Sequence, residues 1–537
     1  MESTIKTSNP CDSENLAYKA QRLWDLQTHP NLYPHIFRPT ITLKKFREDY
    51  GHLNNDMICD CPNIRVAGRI QTIRTSGSKL YFAVIESDGV CLQVLANAKY
   101  YCGSFEAYIG SIGDDSCNNQ PNPAFAYDRK LFKRGDIIGV EGFPTRSTKG
   151  ELSILPLSVT LLAPCLYSIP KNVDGKVTVL TDEASRFNQR YLDFIVHPEN
   201  REIFKKRARV MKYIRSYLDE QDFLEVETPI LSAKAGGANA KPFVTHHNDS
   251  DCDMYMRIAP ELYLKQLVIG GFDKVYEIGK NFRNENNDRS HQCTYTAIEI
   301  YQTYADYNDS IKMTEELLSG MVLALTGSYV LNYDNFNPTT ETTDKMQIDF
   351  TPPFKRINII EGLEIHGNIV FPTEILENLG SEQAREYLVD LCDKLNIKCS
   401  NPKTTPRLLD KLIGEYLEPL CLNPTFLVGH PQIMSPLAKY DRSNPILTER
   451  FELFIAGREY ANSYTELNDP RIQRQCFEAQ AADKSNGDEE AQVVDDDYVK
   501  ALEYGLPPTA GLGIGIDRLV MLLTNQSHIR EVITFPN

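Results

Sequence analysis

The chain has 537 residues, of which 42% are hydrophobic and 24% charged, and it carries a net charge of −16 at pH 7. These values are typical of a globular protein of roughly three or four domains, and no run of about 18 apolar residues indicates a membrane span. The acidic balance argues against non-specific binding of polyanions through the overall field, although a local basic face would still permit a nucleic-acid partner.

The N-terminus and the cysteines indicate a reduced, cytosolic protein. Residues 1–6 are not followed by the apolar stretch of a signal peptide, so we do not expect secretion. The 13 cysteines are scattered, and the one close pair, Cys59 and Cys61, is too tightly spaced for a zinc site.

The first third of the chain predicts an extension followed by a small barrel. Residues 1–60 lack strong periodicity and are compatible with a partly ordered extension that contains a short helix over 43–50. Between 61 and 165, short apolar runs at 64–70, 79–85, 90–95, 136–142 and 152–162 are separated by turn residues. Five such strands predict a closed barrel of the OB type, and the Gly-, Asn- and Pro-rich residues 101–125 predict a long loop.

A linker over 166–182 leads to a larger region of mixed helices and strands over 183–537. Asn200 can cap a helix that runs to about Asp222, because its apolar residues fall on one face. Residues 223–229 then predict an extended run that ends at a proline. Residues 483–497 carry seven acids against one lysine, which is typical of a solvated surface loop.

Two arginines, 235 residues apart, are candidates for binding phosphate groups. Arg283 precedes Glu285 by two positions, so both would point to one face if this segment is a strand. Arg283 could fork two hydrogen bonds to a phosphate or carboxylate, and Glu285 could accept from an adenine amino group. A surface ion pair between the two residues is the alternative reading.

The second arginine follows a glycine-rich segment, Gly511-Leu512-Gly513-Ile514-Gly515. We expect a turn here, with Arg518 at the start of an apolar helix whose N-terminus favours anions. The spacing fits neither a P-loop nor a dinucleotide-binding fingerprint. Close packing of a helix on a sheet is the alternative reason for the glycines.

Five glutamates stand out, most of them in apolar surroundings: Glu261, Glu299, Glu452, Glu459 and Glu466. Moving a carboxylate into a protein interior costs several kcal/mol unless it is paired. If the five converge, they require cations, for which the two arginines, Mg²⁺ and a cationic substrate are candidates. Alternatively, each glutamate is half-buried on its own element.

Taken together with longer matching runs, these residues make the chain resemble the class II lysyl-tRNA synthetases of the cytoplasmic eukaryotic type over essentially residues 20–537. The three class II motifs fall at 214–229, 282–301 and 511–523, and class I motifs are absent. Longer matching runs include Val66-Ala67-Gly68-Arg69-Ile70, Gln189-Arg190-Tyr191-Leu192-Asp193, Ala259-Pro260-Glu261-Leu262-Tyr263-Leu264-Lys265 and Glu466-Leu467-Asn468-Asp469-Pro470. The resemblance implies an α+β multidomain fold, with an N-terminal OB-fold and a class II antiparallel-sheet catalytic domain flanked by helices.

The resemblance implies that lysine and ATP form lysyl-adenylate and pyrophosphate, and that the lysyl group then passes to the 3′-terminal adenosine of tRNA(Lys). Arg283 and Arg518 would be the catalytic residues, and Glu452 and Glu459 would bind Mg²⁺. The implied ATP-binding residues are Arg283, Glu285, His291, Gln292, Tyr295, Glu452, Glu459, Tyr460, Gly515, Ile516, Asp517 and Arg518.

For lysine, the resemblance implies Gly237 and Glu261 at the α-amino group, Asn462 and Arg283 at the carboxylate, and Tyr301 and Glu466 at the ε-ammonium group, with Glu299 and Tyr464 completing the pocket. In the barrel, Phe82, Gln93 and Glu151 would bind the anticodon, although Phe82 could instead be barrel core. A homodimer formed through the first motif, a cytoplasmic location and no membrane association are also implied.

The chain departs from the family pattern at several positions, which include Gln292 for the usual Asn, Tyr295 and Tyr464 for Phe, and Leu512 for Trp. These changes largely keep shape or hydrogen-bonding ability. Two rival functions remain. An aspartate- or asparagine-charging relative would carry an Arg in place of Glu466, and a non-catalytic scaffold would have lost Arg283, Arg518 or the metal carboxylates.

Overall fold

The structure is a computed structural model that describes residues 10–27, 29, 32–59, 63–101, 123–170, 172–173, 176–177, 180–234, 236–238, 240–337, 342–485, 487, 491 and 493–536. It contains two compact units, Met1–Glu199 and Asn200–Asn537. None of the helices in these ranges is long and apolar enough to cross a membrane.

The first unit is built on a closed five-stranded barrel with the strand order β1-β2-β3-β5-β4. The strands are β1 (Ile64–Thr75), β2 (Leu80–Ser87), β3 (Val90–Asn97), β4 (Ile137–Arg146) and β5 (Leu152–Ala163). Alternate residues such as Val66, Ile85 and Val94 point inward and are fully buried, as the two-residue period of a strand requires. The predicted OB-type barrel is therefore confirmed, and each strand overlaps its predicted run.

The first unit also contains five helices among its described residues, and only one of them was predicted from the sequence. The remaining elements of the unit are α1 (Pro10–Leu26), α2 (Leu43–Tyr50), α3 (Pro123–Leu131), β6 (Asn172–Val173), β7 (Lys176–Val177), α4 (Glu183–Asn188) and α5 (Arg190–Val196). The short helix expected over 43–50 is present as α2. The loop predicted over 101–125 was wrong at its end, where α3 begins, and its residues 102–122 lie outside the described residues.

A buried ion pair joins α1 to the barrel. Arg22 Nη2 lies 2.5 Å from Asp136 Oδ2, and both side chains are almost fully excluded from solvent. Arg22 Nη1 donates to the Leu131 carbonyl at 2.6 Å, while Asp136 also accepts from the backbone N–H groups of Lys133 and Cys165. Because both charges are paired and hydrogen-bonded, α1 is an integral part of the first unit.

The second unit contains an eight-stranded sheet with the order β16-β17-β18-β19-β20-β13-β12-β8. All neighbouring strands are antiparallel except the outer pairs β16/β17 and β12/β8. The strands of the unit are β8 (Leu224–Glu225), β9 (Leu231–Ser232), β10 (Val244–His247), β11 (Cys252–Met256), β12 (Lys274–Phe282), β13 (Thr294–Thr303), β14 (Val330–Asn337), β15 (Thr342–Asp349), β16 (Lys355–Asn358), β17 (Thr425–Val428), β18 (Arg450–Ile455), β19 (Arg458–Thr465) and β20 (Thr509–Gly515).

Helices cover this sheet and enclose the main core of the unit. Ile214, Leu317 and Val520 from three helices pack against Ile300 and Phe451 of the sheet. The helices are α6 (Asn200–Asp219), α7 (Glu261–Ile269), α8 (Tyr307–Thr326), α9 (Ile359–Gly367), α10 (Thr373–Glu377), α11 (Glu382–Lys394), α12 (Thr405–Tyr416), α13 (Pro470–Ser485), α14 (Asp496–Leu502) and α15 (Ile516–Thr524), with short 3₁₀ helices at Glu418–Leu420, Gln432–Met434 and Ile529–Val532. The predicted antiparallel sheet flanked by helices is confirmed.

Three local predictions were wrong. The glycine-rich segment is not a turn but the central strand β20, which pairs with both β13 and β19. Arg283 and Glu285 lie in the connection after β12, so they are not on a strand. The acidic segment 483–497 is helical at both ends, since α13 runs to Ser485 and α14 begins at Asp496. At the second end, Asp495 caps the N-terminus of α14, and acidic residues stabilise a first helical turn. Residues 488–490 of the segment lie outside the described residues.

Candidate active site

A cavity of about 450 Å³ lies on one face of the large sheet. Successive strand residues point to opposite faces, so Ile298 and Ile300 of β13 enter the core while Glu299 and Tyr301 line the cavity. The cavity collects most of the predicted site residues: Gly237, Glu261, Arg283, Glu285, His291, Gln292, Tyr295, Glu299, Tyr301, Glu452, Glu459, Tyr460, Asn462, Tyr464, Glu466, Gly515, Asp517 and Arg518. Ile516 does not line it, because its side chain is fully buried in the core.

A buried lysine joins two of the predicted carboxylates. Lys265 Nζ lies 2.7 Å from Glu261 Oε1 and 2.6 Å from Glu466 Oε2. Glu261 and Lys265 are one turn apart on α7, whereas Glu466 follows β19, 201 residues after Lys265. The Tyr464 hydroxyl donates to both oxygens of Glu261 at 2.8 Å. Burial of these charges is tolerated because each has an opposite partner.

One oxygen of Glu466 has no hydrogen-bond partner among the described residues. Oε2 accepts from Lys265, whereas Oε1 is buried and unpaired. Gly511 leaves the room that this carboxylate needs, because a Cβ at position 511 would collide with Glu466 Oε1 and lie 2.7 Å from Tyr301 Cε1. A buried acceptor without a partner is unfavourable, so Oε1 marks the point where the cavity can receive a hydrogen-bond donor.

Two carboxyl groups of this part of the cavity, those of Glu299 and Glu466, have raised pKa values. Burial, and then the charge of Glu261, raise the pKa of Glu299 to about 8. Burial also raises the pKa of Glu466 to about 8, against the lowering effect of Lys265. The Tyr301 hydroxyl donates to Glu299 at 3.1 Å. A ligand that brings an ammonium group would stabilise the ionised carboxylates and release a proton from the cluster.

Arg450 orients two polar residues on the neighbouring part of the cavity. Its Nε donates to Asn462 Oδ1 at 3.1 Å and its Nη2 to Glu452 Oε1 at 2.6 Å. Because Oδ1 of Asn462 is already engaged, its amide NH₂ group is left to donate to a ligand. His430 Nε2 lies 3.3 Å from Glu452 Oε2. Burial raises the pKa of Glu452, but the charges of Arg450 and His430 outweigh this effect and lower the pKa to about 2.

Glu452 and Glu459 are the candidates for a metal site. Both line the cavity, and burial together with the negative charge of Glu452 raises the pKa of Glu459. Carboxylate oxygens are the donors that Mg²⁺ prefers. Within the described ranges, no group of three or more His, Cys, Asp or Glu side chains could hold a metal ion by itself. The pair therefore fits an ion that completes its coordination with phosphate oxygens and water.

Backbone hydrogen bonds to two neighbouring segments fix the position of Arg283 in the chain. Its N–H donates to the Cys293 carbonyl at 2.9 Å, and the next N–H, that of Asn284, donates to the Lys241 carbonyl at 2.7 Å. The guanidinium group lies 5.2 Å from the centre of the Tyr295 ring. The ring and the guanidinium group thus form one side of the cavity, on which an aromatic base and an anionic group could both be bound.

Arg518 lies near the N-terminus of α15 and contacts two other predicted residues. Its Nη1 donates to the Glu459 carbonyl at 2.9 Å, and its Nη2 lies 2.6 Å from His291 Nε2. His291 Nδ1 lies 2.8 Å from Asp288 Oδ2, so Nδ1 carries the proton and Nε2 accepts from Arg518. Arg283 and Arg518 therefore line the same cavity, as the sequence predicts.

Asp517 holds the elements of this region together. Its Oδ1 accepts from Arg207 Nη1 at 2.5 Å, and its Oδ2 accepts from the backbone N–H of Thr296 at 2.7 Å. These bonds join α15 to α6 and to β13. The structure thus gives Asp517 an anchoring role beside the cavity, in addition to the nucleotide-binding role that the resemblance implies.

The sequence interpretation did not assign roles to Lys265, Arg450, His430 and Asp288. Lys265 follows Glu261 by four residues, a spacing that would normally indicate an exposed ion pair on a helix. Its burial depends on Glu466, which is distant in sequence. Arg450 and Glu452 alternate along β18, and this alternation was the one available signal that they share a face.

The predicted anticodon residues belong to the barrel, where Phe82 is half-buried, Gln93 is buried and Glu151 is exposed. Arg74 lies 4.9 Å from the centre of the Phe82 ring, and its Nη2 donates to Gln93 Oε1 at 3.4 Å. Gln93 Nε2 donates to Ser153 Oγ at 2.9 Å. Phe82 is only half-buried and lies outside the barrel core, while Glu151 is exposed. A base could therefore reach the Phe82 ring from solvent.

Comparison with known proteins places the region that contains this sheet and its cavity in a family. Residues 182–537 match the family model of the class II tRNA synthetases (D, K and N). The chain belongs to the class II tRNA synthetases.

Three relatives refine this placement. The chain is 45% identical to lysine--tRNA ligase cla4 of Cladosporium cladosporioides, over 99% of this chain and 86% of that protein. It is 42% identical to the probable cytoplasmic lysine--tRNA ligase of Encephalitozoon cuniculi, over 95% and 94% of the two chains. It is 41% identical to the lysine--tRNA ligase of Thermotoga maritima, over 97% and 95%. Within the family, the chain is placed among the lysine--tRNA ligases.

Proposed function

We propose that the cavity activates lysine with ATP and that the chain transfers the lysyl group to tRNA(Lys). The observation that carries this proposal is the unpaired Oε1 of Glu466, a buried carboxylate oxygen in a cavity that is also lined by Glu261 and Glu299. An ammonium group supplies both the positive charge and the hydrogen-bond donor that this oxygen lacks.

In the proposed complex, the lysine side chain points toward Glu466 and Tyr301. Its α-ammonium group binds near Glu261 and Gly237, and Glu299 and Tyr464 complete the pocket. The carboxylate lies between Arg283 and the amide NH₂ of Asn462, which Arg450 orients. Each charged group of the substrate thus meets an opposite charge or a donor that is already oriented.

For ATP, we propose that the adenine base stacks on Tyr295 and that Glu285 accepts from its amino group. Gln292 and Tyr460 complete this part of the site. Arg518 and His291 bind the γ-phosphate end, near Gly515, Ile516 and Asp517 at the start of α15, where backbone N–H groups favour anions. His291 accepts a hydrogen bond from Arg518, so it positions the guanidinium group that meets the phosphate.

The proposed reaction proceeds in two steps. A carboxylate oxygen of lysine attacks the α-phosphorus of ATP, and the bond to the bridging oxygen of pyrophosphate breaks. Arg283 stabilises the negative charge that develops on the phosphoryl oxygens. A ribose hydroxyl of the terminal adenosine of tRNA then attacks the lysyl carbonyl, and AMP leaves. Bound with ATP, Mg²⁺ would offset phosphate charge, and Glu452 and Glu459 would hold it.

The barrel gives the proposed tRNA its second binding site. Phe82 would stack on an anticodon base, and Gln93 and Glu151 would contact base edges. Gln93 already bonds Arg74 and Ser153, so its side chain is oriented before any base arrives. This arrangement supports sequence-specific binding by a chain whose net charge is negative.

We further propose that the chain forms a homodimer through its first motif and acts in the cytoplasm without membrane association. Exposed apolar residues follow α6, among them Leu224, Ile230 and Leu231, each 41–48% exposed. Such a surface suits a second copy of the chain. The relative from Encephalitozoon cuniculi is named cytoplasmic.

The two rival functions fit the site less well. A pocket for aspartate or asparagine would need a cation or an amide where Glu466 presents a carboxylate oxygen. A non-catalytic scaffold would not need Arg283, Arg518, Glu452 and Glu459 on one cavity. ATP–pyrophosphate exchange with each amino acid separates the three. Exchange that depends on lysine alone supports the proposal, and exchange with aspartate, with asparagine or with no amino acid refutes it.

A further inference from the structure

Lys265 is the charged member of the lysine pocket that does not line the cavity. Its side chain has no solvent exposure, and both of its ion-pair partners, Glu261 and Glu466, do line the cavity. Lys265 therefore cannot touch a substrate directly. Any effect that it has on substrate binding must pass through these two carboxylates.

The contacts of Lys265 fix the Glu466 carboxylate in one orientation. Lys265 Nζ donates to Glu466 Oε2 at 2.6 Å. Glu466 Oε1 then lies in the space that the missing side chain of Gly511 leaves, where no donor among the described residues bonds to it. Lys265 Nζ also donates to Glu261 Oε1 at 2.7 Å. One ammonium group thus sets the position of both carboxylates that would bind the two ammonium groups of lysine.

The net charge of the pocket matches the two ammonium groups of a lysine substrate only when Lys265 is included. Glu261, Glu299 and Glu466 carry three negative charges when ionised, and Lys265 reduces the sum to two. A lysine substrate brings two ammonium groups, while its carboxylate faces Arg283. The charge of Lys265 lowers the pKa of Glu466 and of Glu299, so without Lys265 these two carboxylates would hold their protons to a higher pH.

We infer that Lys265 is a positioning residue for lysine recognition, because its ammonium group holds the carboxylates of Glu261 and Glu466 in place and leaves a single oxygen, Glu466 Oε1, for the ammonium group of the substrate side chain. This inference rests on the proposed function of the cavity. The groups that face Lys265 are Glu261 from α7, Glu466 and Tyr464 from the β19 region, and Tyr498 from α14, whose ring centre is 5.6 Å from Nζ.

The test compares full-length wild type, K265M and K274M by the lysine dependence of ATP–pyrophosphate exchange between pH 6.5 and 9. Lys274 is a matched control, because its Nζ donates to the Gln221 carbonyl and lies 5.4 Å from the Phe223 ring, away from the cavity. We expect K265M to raise the KM for lysine about 30-fold or more at pH 7. The KM for ATP should change by less than about twofold.

The pH profile separates positioning from a structural role. In K265M the carboxylates ionise at higher pH, so the penalty in KM should shrink between pH 7 and 9, while K274M follows wild type. An unchanged lysine KM in K265M, or a loss confined to kcat and independent of pH, would overturn the inference. Wild type without lysine-dependent exchange would instead refute the proposed function.

A second pair of variants covers the case in which K265M does not fold. E261Q/K265M removes one charge of each sign, so the net charge of the pocket is unchanged, and it is compared with E261Q alone. We expect the double variant to show the higher lysine KM, with recovery at high pH. Equal KM values and equal pH profiles in the two variants would overturn the inference.

Discussion

Gly511 and Glu466 occupy adjoining space, so that the missing side chain of one makes room for the carboxylate of the other. A Cβ at 511 would overlap Glu466 Oε1, whereas a Cβ at Gly513 would have no neighbour closer than 3.8 Å. Two glycines of the same strand therefore have different steric environments, and the difference can be measured.

We expect G511A to raise the KM for lysine at least about 30-fold, because the added methyl group displaces the carboxylate that receives the substrate ammonium group. Overpacking should also lower the free energy of unfolding by about 1–3 kcal/mol. G513A is the matched variant and should have a much smaller effect on both. Exchange kinetics and thermal melts measure the two quantities, and equal effects at 511 and 513 would contradict this reading.

The affinity for lysine should depend on pH through the raised pKa of the glutamate cluster. Below pH 8, a lysine ammonium group must displace a proton from the Glu299–Glu466 pair, so the KM for lysine should fall as pH rises. If one proton is displaced, the slope is about tenfold per pH unit, and it should level off above pH 8. E466Q should flatten this profile, while a flat profile in wild type would refute the assignment.

Removing the Arg518 guanidinium group should weaken ATP binding selectively. R518A should raise the KM for ATP about 10- to 150-fold, the equivalent of one charged hydrogen-bonding group at about 1.5–3 kcal/mol. Lysine binding, measured by calorimetry without ATP, should be unchanged, because Arg518 contacts Glu459 and His291 and not the lysine pocket. An equal loss of affinity for both ligands would indicate a general disruption of the site.

Asp517 should contribute strongly to stability, because D517A leaves Arg207 without its buried partner. We expect the free energy of unfolding to fall by about 3–5 kcal/mol in denaturant titrations. E382A removes a carboxylate that pairs with Arg385 at the surface of α11, and this change should leave the midpoint nearly unaffected. A tolerated D517A would show that the anchoring bonds are dispensable.

Phe82 should affect only the tRNA-dependent step. Loss of one base–aromatic stack costs about 1–3 kcal/mol, so F82A should raise the KM for tRNA about 5- to 150-fold in aminoacylation. ATP–pyrophosphate exchange with lysine should be unchanged, because Phe82 belongs to the first unit. A fall in exchange with no effect on tRNA would contradict a role in anticodon binding.

Local patterns predict the barrel well because each of its strands carries its own signal. Turn residues bracket the runs at 64–70 and 90–95, and alternation indicates which residues point inward. The resemblance, which depends on long runs of residues, also identifies most of the cavity. In both cases the information lies in contiguous stretches of the sequence.

The remaining features depend on contacts between distant segments. Gly511-Leu512-Gly513 indicates a turn by composition, and only its pairing with β13 and β19 makes it a strand. Glu261 and Lys265 indicate an exposed pair by spacing, and only Glu466 makes the pair buried. Tertiary partners decide both cases, so no local rule could have predicted them.

The ion pair between Arg22 and Asp136 has a practical consequence for dissecting the protein. A fragment that starts at residue 61 would contain all five barrel strands. It would lack Arg22, however, and so would leave the buried carboxylate of Asp136 without its ion-pair partner. A fragment designed to study the barrel by itself should therefore retain the first helix, Pro10–Leu26. That helix begins at Pro10, well before the first barrel strand at Ile64, so a boundary chosen from the strands alone would remove it.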